Sequence, residues 1–226
     1  MAISFKKDKY CVVKNIISKE IADLCYDYLI LKRKAAKTLL EVKYFTPFER
    51  IYGTWKDDQV PNTFSIYGDV LMETLLSRLL IATEKATKLK LTPNYSYSRI
   101  YKNGDILKRH KDRFSCEIST TLFIGGDSWP IYINPNPKEG KDKKQGDKVY
   151  YEPSKQKGKK VDLKPGDMLV YRGIDLEHYR DSFEGENCAQ VFFHYNNMET
   201  KGSQLNIYDG RPHLGIPADI KVKRWR

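Results

Sequence analysis

The stretch YSRIYKNGDILKRHKD, from Tyr97 to Asp112, decides how this 226-residue chain is interpreted. Tyr97, Arg99 and Tyr101 alternate with other residues at the period of a half-buried β-strand. The next four residues, KNGD, predict a turn, because Asn, Gly and Asp tolerate the backbone angles that a chain reversal needs. The stretch therefore predicts a strand, a reversal and a second extended segment that ends at Asp112.

The second extended segment carries a pair of metal-binding side chains. If the chain is extended there, His110 and Asp112 point to the same face with Cα atoms roughly 6–7 Å apart. An imidazole and a carboxylate so placed can bind one metal ion and need a distant third ligand. Only His178, His194 and His213 remain as histidines, and His178 follows a predicted strand and turn.

His110, Asp112 and His178 would form a set of two imidazoles and one carboxylate on one face of a metal. Such a set leaves three adjacent coordination positions open, as in non-haem iron oxygenases. A structural zinc site is disfavoured because it needs four ligands, usually with paired cysteines. The cysteines of this chain are scattered, which also argues against a disulfide framework and favours a reducing compartment: Cys11, Cys25, Cys116 and Cys188.

Hydrophobic periodicity divides the chain into a helical part and an extended part. Two amphipathic helices are expected before about residue 90, with Ser18 and Asp69 as N-caps. Short strands separated by turns follow, which predicts a mainly β barrel or jelly roll buttressed by helices. We expect one domain over 1–226, with helical support in about 1–90, a β core in about 91–200 and a C-terminal surface segment in 201–226.

Two segments stand outside this simple pattern. The aromatic-rich segment from Tyr44 to Tyr67 either closes a core edge or lines a substrate cleft. The lysine-rich interval from Asn134 to Lys164, whose role the sequence leaves open, reads as an exposed hairpin or loop.

Composition limits the compartment and the partners. The formal net charge of +11 raises nucleic acid as a partner, although the basic residues are spread along the chain and a solvated surface explains them equally well. No apolar run approaches the roughly 20 residues of a membrane span, and no secretory signal is visible. We therefore expect a cytoplasmic protein without membrane contact.

Several motifs together resemble the Fe(II)/2-oxoglutarate-dependent dioxygenases, especially their prolyl-4-hydroxylase-like branch. These motifs are Tyr101-x-x-Gly104 before His110-x-Asp112, then Leu163-x-Pro165-Gly166-Asp167 and a strand before His178. The resemblance covers about residues 95–196 and implies a double-stranded β-helix, a jelly-roll barrel of the cupin kind. It also implies Fe(II) held by the three residues named above, 2-oxoglutarate and O2 as cosubstrates, and ascorbate as a further candidate cofactor.

The resemblance extends to the 2-oxoglutarate pocket, with one departure. Tyr101 matches a tyrosine that lines this pocket. The relatives place a Lys or Arg for the distal carboxylate about nine to twelve residues after the second histidine, where this chain has Asn187 to Gln190 and no cation. Arg180 is the substitute we expect, because it lies two residues beyond His178 and faces the same interior.

Two other arginines and one other histidine are also candidates for a role near the predicted site. Arg99 and Arg172 are reserve candidates for the distal carboxylate. His194, on the last predicted strand, is expected to be a hydrogen-bonded structural residue.

The resemblance implies hydroxylation of a substrate C–H bond, with release of succinate and CO2. A peptide or protein side chain such as proline is the leading substrate hypothesis, and a small molecule is an alternative. AlkB-like oxidative demethylation of nucleic acid is a second hypothesis, although Glu186 stands where that group has a second arginine. A non-catalytic β-barrel binding module is a third.

Overall fold

Two β-sheets face each other in the computed structural model, which describes residues 3–146 and 148–221. The larger sheet has the strand order β1-β10-β5-β12-β3-β2, and the smaller has the order β4-β11-β6-β9. The strands of the larger sheet are β1 (Tyr10–Val13), β2 (Phe64–Tyr67), β3 (Leu91–Lys102), β5 (Ile118–Gly126), β10 (Met168–Arg172) and β12 (Asn187–Asn197). Those of the smaller sheet are β4 (Leu107–His110), β6 (Ile131–Ile133), β9 (Lys159–Val161) and β11 (His178–Arg180).

The core has two layers because successive side chains of a strand point to opposite faces. On β5, Phe123 belongs to the hydrophobic cluster shared by both sheets, whereas Leu122 and Ile124 belong to the cluster beneath the helices. The interior cluster includes Tyr101 and Leu169 of the larger sheet with Leu107, Ile131 and Ile133 of the smaller sheet. The two sheets therefore enclose a packed interior, as expected for a jelly roll.

The helices are α1 (Phe5–Asp8), α2 (Lys19–Glu41) and α3 (Val70–Thr87). Ser18 caps α2 by accepting a hydrogen bond from the Ile21 amide at 3.2 Å, and Asp69 caps α3 through the amides of Leu71 and Met72. Buried residues of both long helices, including Leu29 and Leu76, join the cluster on the outer face of the larger sheet. Both predicted caps are confirmed.

The N-terminal part contributes more than helices. Strands β1 and β2 form the two edges of the larger sheet, β1 beside β10 and β2 beside β3. The lysine-rich interval contains β9 and a separate hairpin of β7 (Lys141–Gln145) and β8 (Lys148–Glu152), so it is a hairpin as expected.

The described C-terminal residues are mostly exposed or half-buried, but a few buried side chains fasten this segment to the rest of the fold. Arg211 is fully buried and makes a two-pronged ion pair with Glu73 of α3, with the closest nitrogen–oxygen distance at 2.7 Å. Ser203 and Asp209 are buried as well. The buried ion pair between Arg211 and Glu73 therefore attaches the described part of this segment to α3.

Among residues 3–146 and 148–221, no helix has the length and apolar character needed to cross a bilayer. The four cysteines are buried and unpaired, as their scattered positions predicted.

Candidate active site

The three predicted ligands meet where two strands of the smaller sheet lie side by side. His110 ends β4, Asp112 follows it, and His178 begins β11 directly opposite His110. Asp112 Oδ1 lies 3.5 Å from Nε2 of His110 and 3.5 Å from Nε2 of His178. The imidazole centroids are 4.2 Å apart. The structure thus brings together residues that are 66 positions apart in the sequence (178 − 112 = 66).

Backbone carbonyls fix which histidine nitrogens can bind a metal. Nδ1 of His110 lies 2.7 Å from the Lys108 carbonyl oxygen, and Nδ1 of His178 lies 3.0 Å from that of Leu176. A carbonyl oxygen only accepts, so both Nδ1 atoms carry the proton in the neutral rings. Both Nε2 atoms are consequently unprotonated in the neutral rings, and each lies 3.5 Å from Asp112 Oδ1.

The Asp112 carboxylate is oriented from the other side. The Ser119 hydroxyl donates to Oδ2 at 2.6 Å, which leaves Oδ1 toward the histidines. Burial by itself would raise the pKa of Asp112, but the two histidines hold this pKa well below its usual range. Burial lowers the pKa of His110, and the hydrogen bond and charge of Asp112 outweigh burial, so this pKa is raised overall. A positive charge placed among His110, Asp112 and His178 is therefore stabilised by the Asp112 carboxylate.

This donor set fits a divalent metal. Two imidazole nitrogens and one carboxylate oxygen converge on a common point, and three ligands on one face are the arrangement of mononuclear non-haem iron sites. Asp112, Cys116 and His194 also lie close enough to one another to hold an ion. That second set shares Asp112, and its Cys116 sulfur already contacts the Tyr95 hydroxyl at 3.0 Å, so the set with two histidines is the stronger candidate.

A cavity of about 310 Å³ opens beside the triad. Aromatic side chains form much of its wall, and three cationic side chains reach it. Apart from the triad, the lining residues are Gln59, Tyr95, Tyr97, Arg99, Tyr101, Leu107, Lys111, Arg113, Cys116, Ile131, Tyr171, Phe192 and His194. Tyr101, which was predicted to line the cosubstrate pocket, is in the wall of this cavity together with the triad.

Arg180 lies inside the barrel but is not part of the cavity lining. Its side chain is 1% exposed, one terminal nitrogen donates to the Trp129 carbonyl oxygen, and the other lies 3.4 Å from the Thr121 hydroxyl. Its Nε has no partner, and no carboxylate in the described part of the chain pairs with it. A buried guanidinium without a counter-ion is costly, so a carboxylate that reached Arg180 would be stabilised there.

Two observations connect Arg180 with the cavity. Burial raises the pKa of the Tyr171 hydroxyl, and the charge of Arg180 partly opposes this shift. The Trp129 ring contacts both the Arg180 guanidinium, at 5.1 Å, and the ring of Tyr101, at 4.8 Å. Tyr101 and Tyr171 both line the cavity, so Arg180 borders its wall from the interior.

The reserve arginines already have carboxylate partners. Arg99 is 3% exposed and pairs with Asp57 at 2.5 Å. Arg172 pairs with Asp175 at 2.7 Å and lies 3.4 Å from Glu117. Both reserve arginines therefore have their charge neutralised by a neighbouring carboxylate, unlike Arg180 among the described residues.

Sequence reasoning missed four side chains around the ligands. Ser119 orients Asp112, Arg113 lines the cavity and pairs with Asp209, and Asp57 and Gln59 reach Arg99 from the aromatic-rich segment. The sequence pointed to Asp57 and Gln59 only indirectly, because both lie in the aromatic-rich segment that was a candidate for lining the cleft. No spacing rule identifies Ser119, because its role depends on the sheet register.

His194 is buried and has the structural role that was expected. Its Nδ1 lies 3.1 Å from the Ser119 hydroxyl, and its ring packs on Tyr95. Burial lowers its pKa to about 4, so the ring is neutral near pH 7.

No protein-family model and no curated protein matches the sequence. Solved structures do share the fold, which is a double-stranded β-helix. The prolyl-4-hydroxylase of Pseudomonas putida is 12% identical with a TM-score of 0.54, over 85% of this chain and 95% of that chain. The expected double-stranded β-helix is confirmed.

Two further structures of this fold contain bound ligands. EctD of S. alaskensis, solved with 2-oxoglutarate and 5-hydroxyectoine, is 15% identical with a TM-score of 0.55, over 98% of this chain and 86% of that chain. The epimerase SnoN of nogalamycin biosynthesis, solved with Fe3+, alpha ketoglutarate and nogalamycin RO, is 13% identical with a TM-score of 0.58, over 85% and 80%. These proteins act on unlike molecules, so the fold does not define the substrate.

Proposed function

We propose that this protein is an Fe(II)- and 2-oxoglutarate-dependent oxygenase that hydroxylates a substrate C–H bond. The convergence of His110, Asp112 and His178 beside a cavity at one end of the barrel carries the proposal. In this role both Nε2 atoms and one carboxylate oxygen hold the metal. Ser119 keeps the other carboxylate oxygen occupied, so Asp112 offers a single ligand atom.

His110, Asp112 and His178 would hold iron, which would supply the activation of dioxygen with electrons from 2-oxoglutarate and so yield succinate and CO2. The residues of this chain position the cosubstrate. The terminal nitrogens of Arg180 already contact the Trp129 carbonyl oxygen and the Thr121 hydroxyl, so its unpartnered Nε–H is the donor that it offers to the distal carboxylate. The Tyr101 hydroxyl lies on the cavity side and accepts a hydrogen bond from Arg99 at 3.2 Å, so its own proton can be donated to the cosubstrate.

Aromatic side chains line much of the space beside the ligands. Tyr171 packs edge-on against the His178 ring with centroids 4.7 Å apart, and Phe192 and Tyr95 also contribute to the wall. Rings at this position lower the local dielectric constant, which strengthens electrostatic contacts with a charged cosubstrate. Ascorbate would act as a reductant for iron oxidised without turnover.

For the substrate, we propose a peptide or protein side chain such as proline. The resemblance of the sequence motifs to the prolyl-4-hydroxylase-like branch motivates this choice, and a cavity of about 310 Å³ suits one side chain next to the cosubstrate. A small molecule is the alternative, in line with the EctD structure. AlkB-like demethylation is disfavoured, because Glu186, an exposed acidic residue, occupies the position of the second arginine of that group.

The test is iron-dependent formation of succinate from 2-oxoglutarate under air. Candidate peptides, free amino acids and oligonucleotides should then be screened by mass spectrometry for a gain of one oxygen. Succinate formation that requires both iron and dioxygen is the expected result. Its complete absence in protein with a fully loaded metal site would favour the non-catalytic binding module.

A further inference from the structure

The side-chain amide of Gln59 joins two groups of the site. Its oxygen accepts a hydrogen bond from Nη1 of Arg99 at 3.1 Å, and its nitrogen lies 3.0 Å from Nε2 of His110. That nitrogen of His110 is the atom that must bind the metal. Gln59 therefore reaches the centre of the candidate metal site from an otherwise exposed loop.

The orientation of this amide follows from its neighbours. A guanidinium has only donors, so the amide oxygen must face Arg99 and the NH2 group must face His110. His110 Nδ1 carries the proton, because it faces the Lys108 carbonyl oxygen. The Gln59 NH2 group is thus a donor to the lone pair of His110 Nε2.

The loop that carries Gln59 is fastened to the larger sheet. Asp57 accepts hydrogen bonds from Arg99 at 2.5 Å, from the Tyr97 hydroxyl and from the Gln59 backbone amide at 2.8 Å. With Arg99 as counter-ion and these donors, the pKa of Asp57 is lowered although burial opposes the shift. The Gln59 side chain is therefore held at His110 by a charged anchor two residues away.

We propose that Gln59 is a gate residue, by which we mean a side chain that competes with the metal for one of its ligands. In the metal-free protein the Gln59 NH2 group donates to the lone pair of His110 Nε2, and metal binding displaces it. A metal ion and an N–H donor cannot share one lone pair, so the two states exclude each other. While Arg99 retains the amide oxygen, the displaced NH2 group stays at the cavity wall. There it needs a new acceptor, which an oxygen atom of a bound substrate can provide.

The inference rests on the metal site of the proposed function, but its test needs no turnover. Co(II) binding to the metal-free protein is measured by calorimetry for the wild type, Gln59→Ala and Gln59→Leu. Both variants should bind Co(II) about three- to tenfold more tightly, as expected when one competing hydrogen bond is removed. Leu fills similar space, so it separates the hydrogen bond from simple bulk.

Gln156→Ala is the matched control, because Gln156 is also exposed and makes its hydrogen bonds with Arg109 and Ser154 through its own backbone atoms. Its affinity for Co(II) should equal that of the wild type. Unchanged or weaker affinity in both Gln59 variants overturns the gate. A wild type that takes up no metal at all overturns the proposed function as well.

A second measurement follows the amide itself. The side-chain NH2 resonances of Gln59, identified by their loss in Gln59→Ala, should shift when diamagnetic Zn(II) is added to labelled protein. Resonances that stay in place while the ring signals of His110 and His178 shift would show that metal binding does not displace Gln59. That result would refute the gate and leave the metal site intact.

Discussion

Cys188 lies directly opposite Tyr101 on the neighbouring strands β12 and β3. The resemblance to prolyl-4-hydroxylase-like dioxygenases implies a cation for the distal carboxylate of 2-oxoglutarate in this part of the last strand, and this chain has a buried thiol there. A chain of hydrogen bonds runs from Arg180 through the Thr121 hydroxyl and the Gln190 amide to the Cys188 sulfur. Arg180 on β11 therefore provides a guanidinium next to the position where the usual cation is missing.

The first prediction concerns the metal. Asp112→Ala should abolish stoichiometric binding of Fe(II) or Mn(II) and lower turnover more than about 100-fold, because a ligand and not a neighbouring residue is removed. Folding should be little affected, since the main loss is the hydrogen bond with Ser119, and the unfolding temperature should fall by only about 2–4 °C. Metal analysis and thermal unfolding check both parts.

The control for this variant is Asp162→Ala, which removes an exposed carboxylate paired with Lys160. It should retain metal and turnover. Full metal occupancy in Asp112→Ala would refute the ligand assignment.

A second prediction concerns pH. His194 has a pKa of about 4 in the folded chain, against 6.5 for the ordinary side chain, because burial disfavours the charged ring. The unfolded chain therefore binds this proton first, so the contribution of His194 to stability is fully present above pH 6.5. It is lost as the pH falls toward 4. On the order of 3 kcal/mol of unfolding free energy depends on this residue.

Denaturant unfolding of the metal-free protein between pH 7 and pH 4 measures this loss. His194→Gln should remove most of that part of the slope, whereas His213→Gln, at an exposed position, should keep it. Equal slopes for wild type and His194→Gln would show that His194 titrates normally.

The contrast between these residues shows how far sequence reasoning extends. The triad was predictable because an extended chain fixes the relation of His110 to Asp112, and only three further histidines were available. Helix caps at Ser18 and Asp69 were predictable because they depend on local hydrogen bonds. The ion pair of Arg211 with Glu73 was not, because it joins the C-terminal segment to α3 across 138 positions. Ser119 and Gln59 were missed for the same reason, since strand register and loop packing bring them to the ligands.

A third prediction concerns the anchor of the lysine-rich hairpin. Glu177 is completely buried beside His178 and accepts hydrogen bonds from Arg109 at 2.9 Å, from the Tyr151 hydroxyl and from the Ser154 amide. Glu177→Ala removes the only carboxylate partner that the described residues give Arg109 and the acceptor of two further donors, which should lower the unfolding free energy by roughly 3 kcal/mol. Protease cleavage within β7 and β8 should become faster.

Glu177→Gln should lose less, because an amide oxygen can still accept from some of these donors. Glu152→Ala, which removes only an exposed partner of Lys143, should leave stability and cleavage unchanged. Unaltered cleavage in Glu177→Ala would show that the hairpin is held by other contacts.

The last prediction concerns Arg180, the residue on which the cosubstrate assignment depends. A dicarboxylate inside a barrel needs a cation at its far end, because a buried unpaired carboxylate is costly. Arg180→Ala should therefore raise the 2-oxoglutarate concentration needed for half-maximal succinate formation by one or more orders of magnitude, on the order of 2–5 kcal/mol. Metal binding should persist, since the three ligands are untouched. Arg180→Lys should recover only part of the loss, because an ammonium cannot reproduce a two-pronged contact.

Arg172→Ala is the matched control, since Arg172 already has carboxylate partners. Unchanged cosubstrate dependence in Arg180→Ala, with a complete loss in Arg99→Ala or Arg172→Ala, would transfer the role to one of those arginines and leave the metal site as assigned.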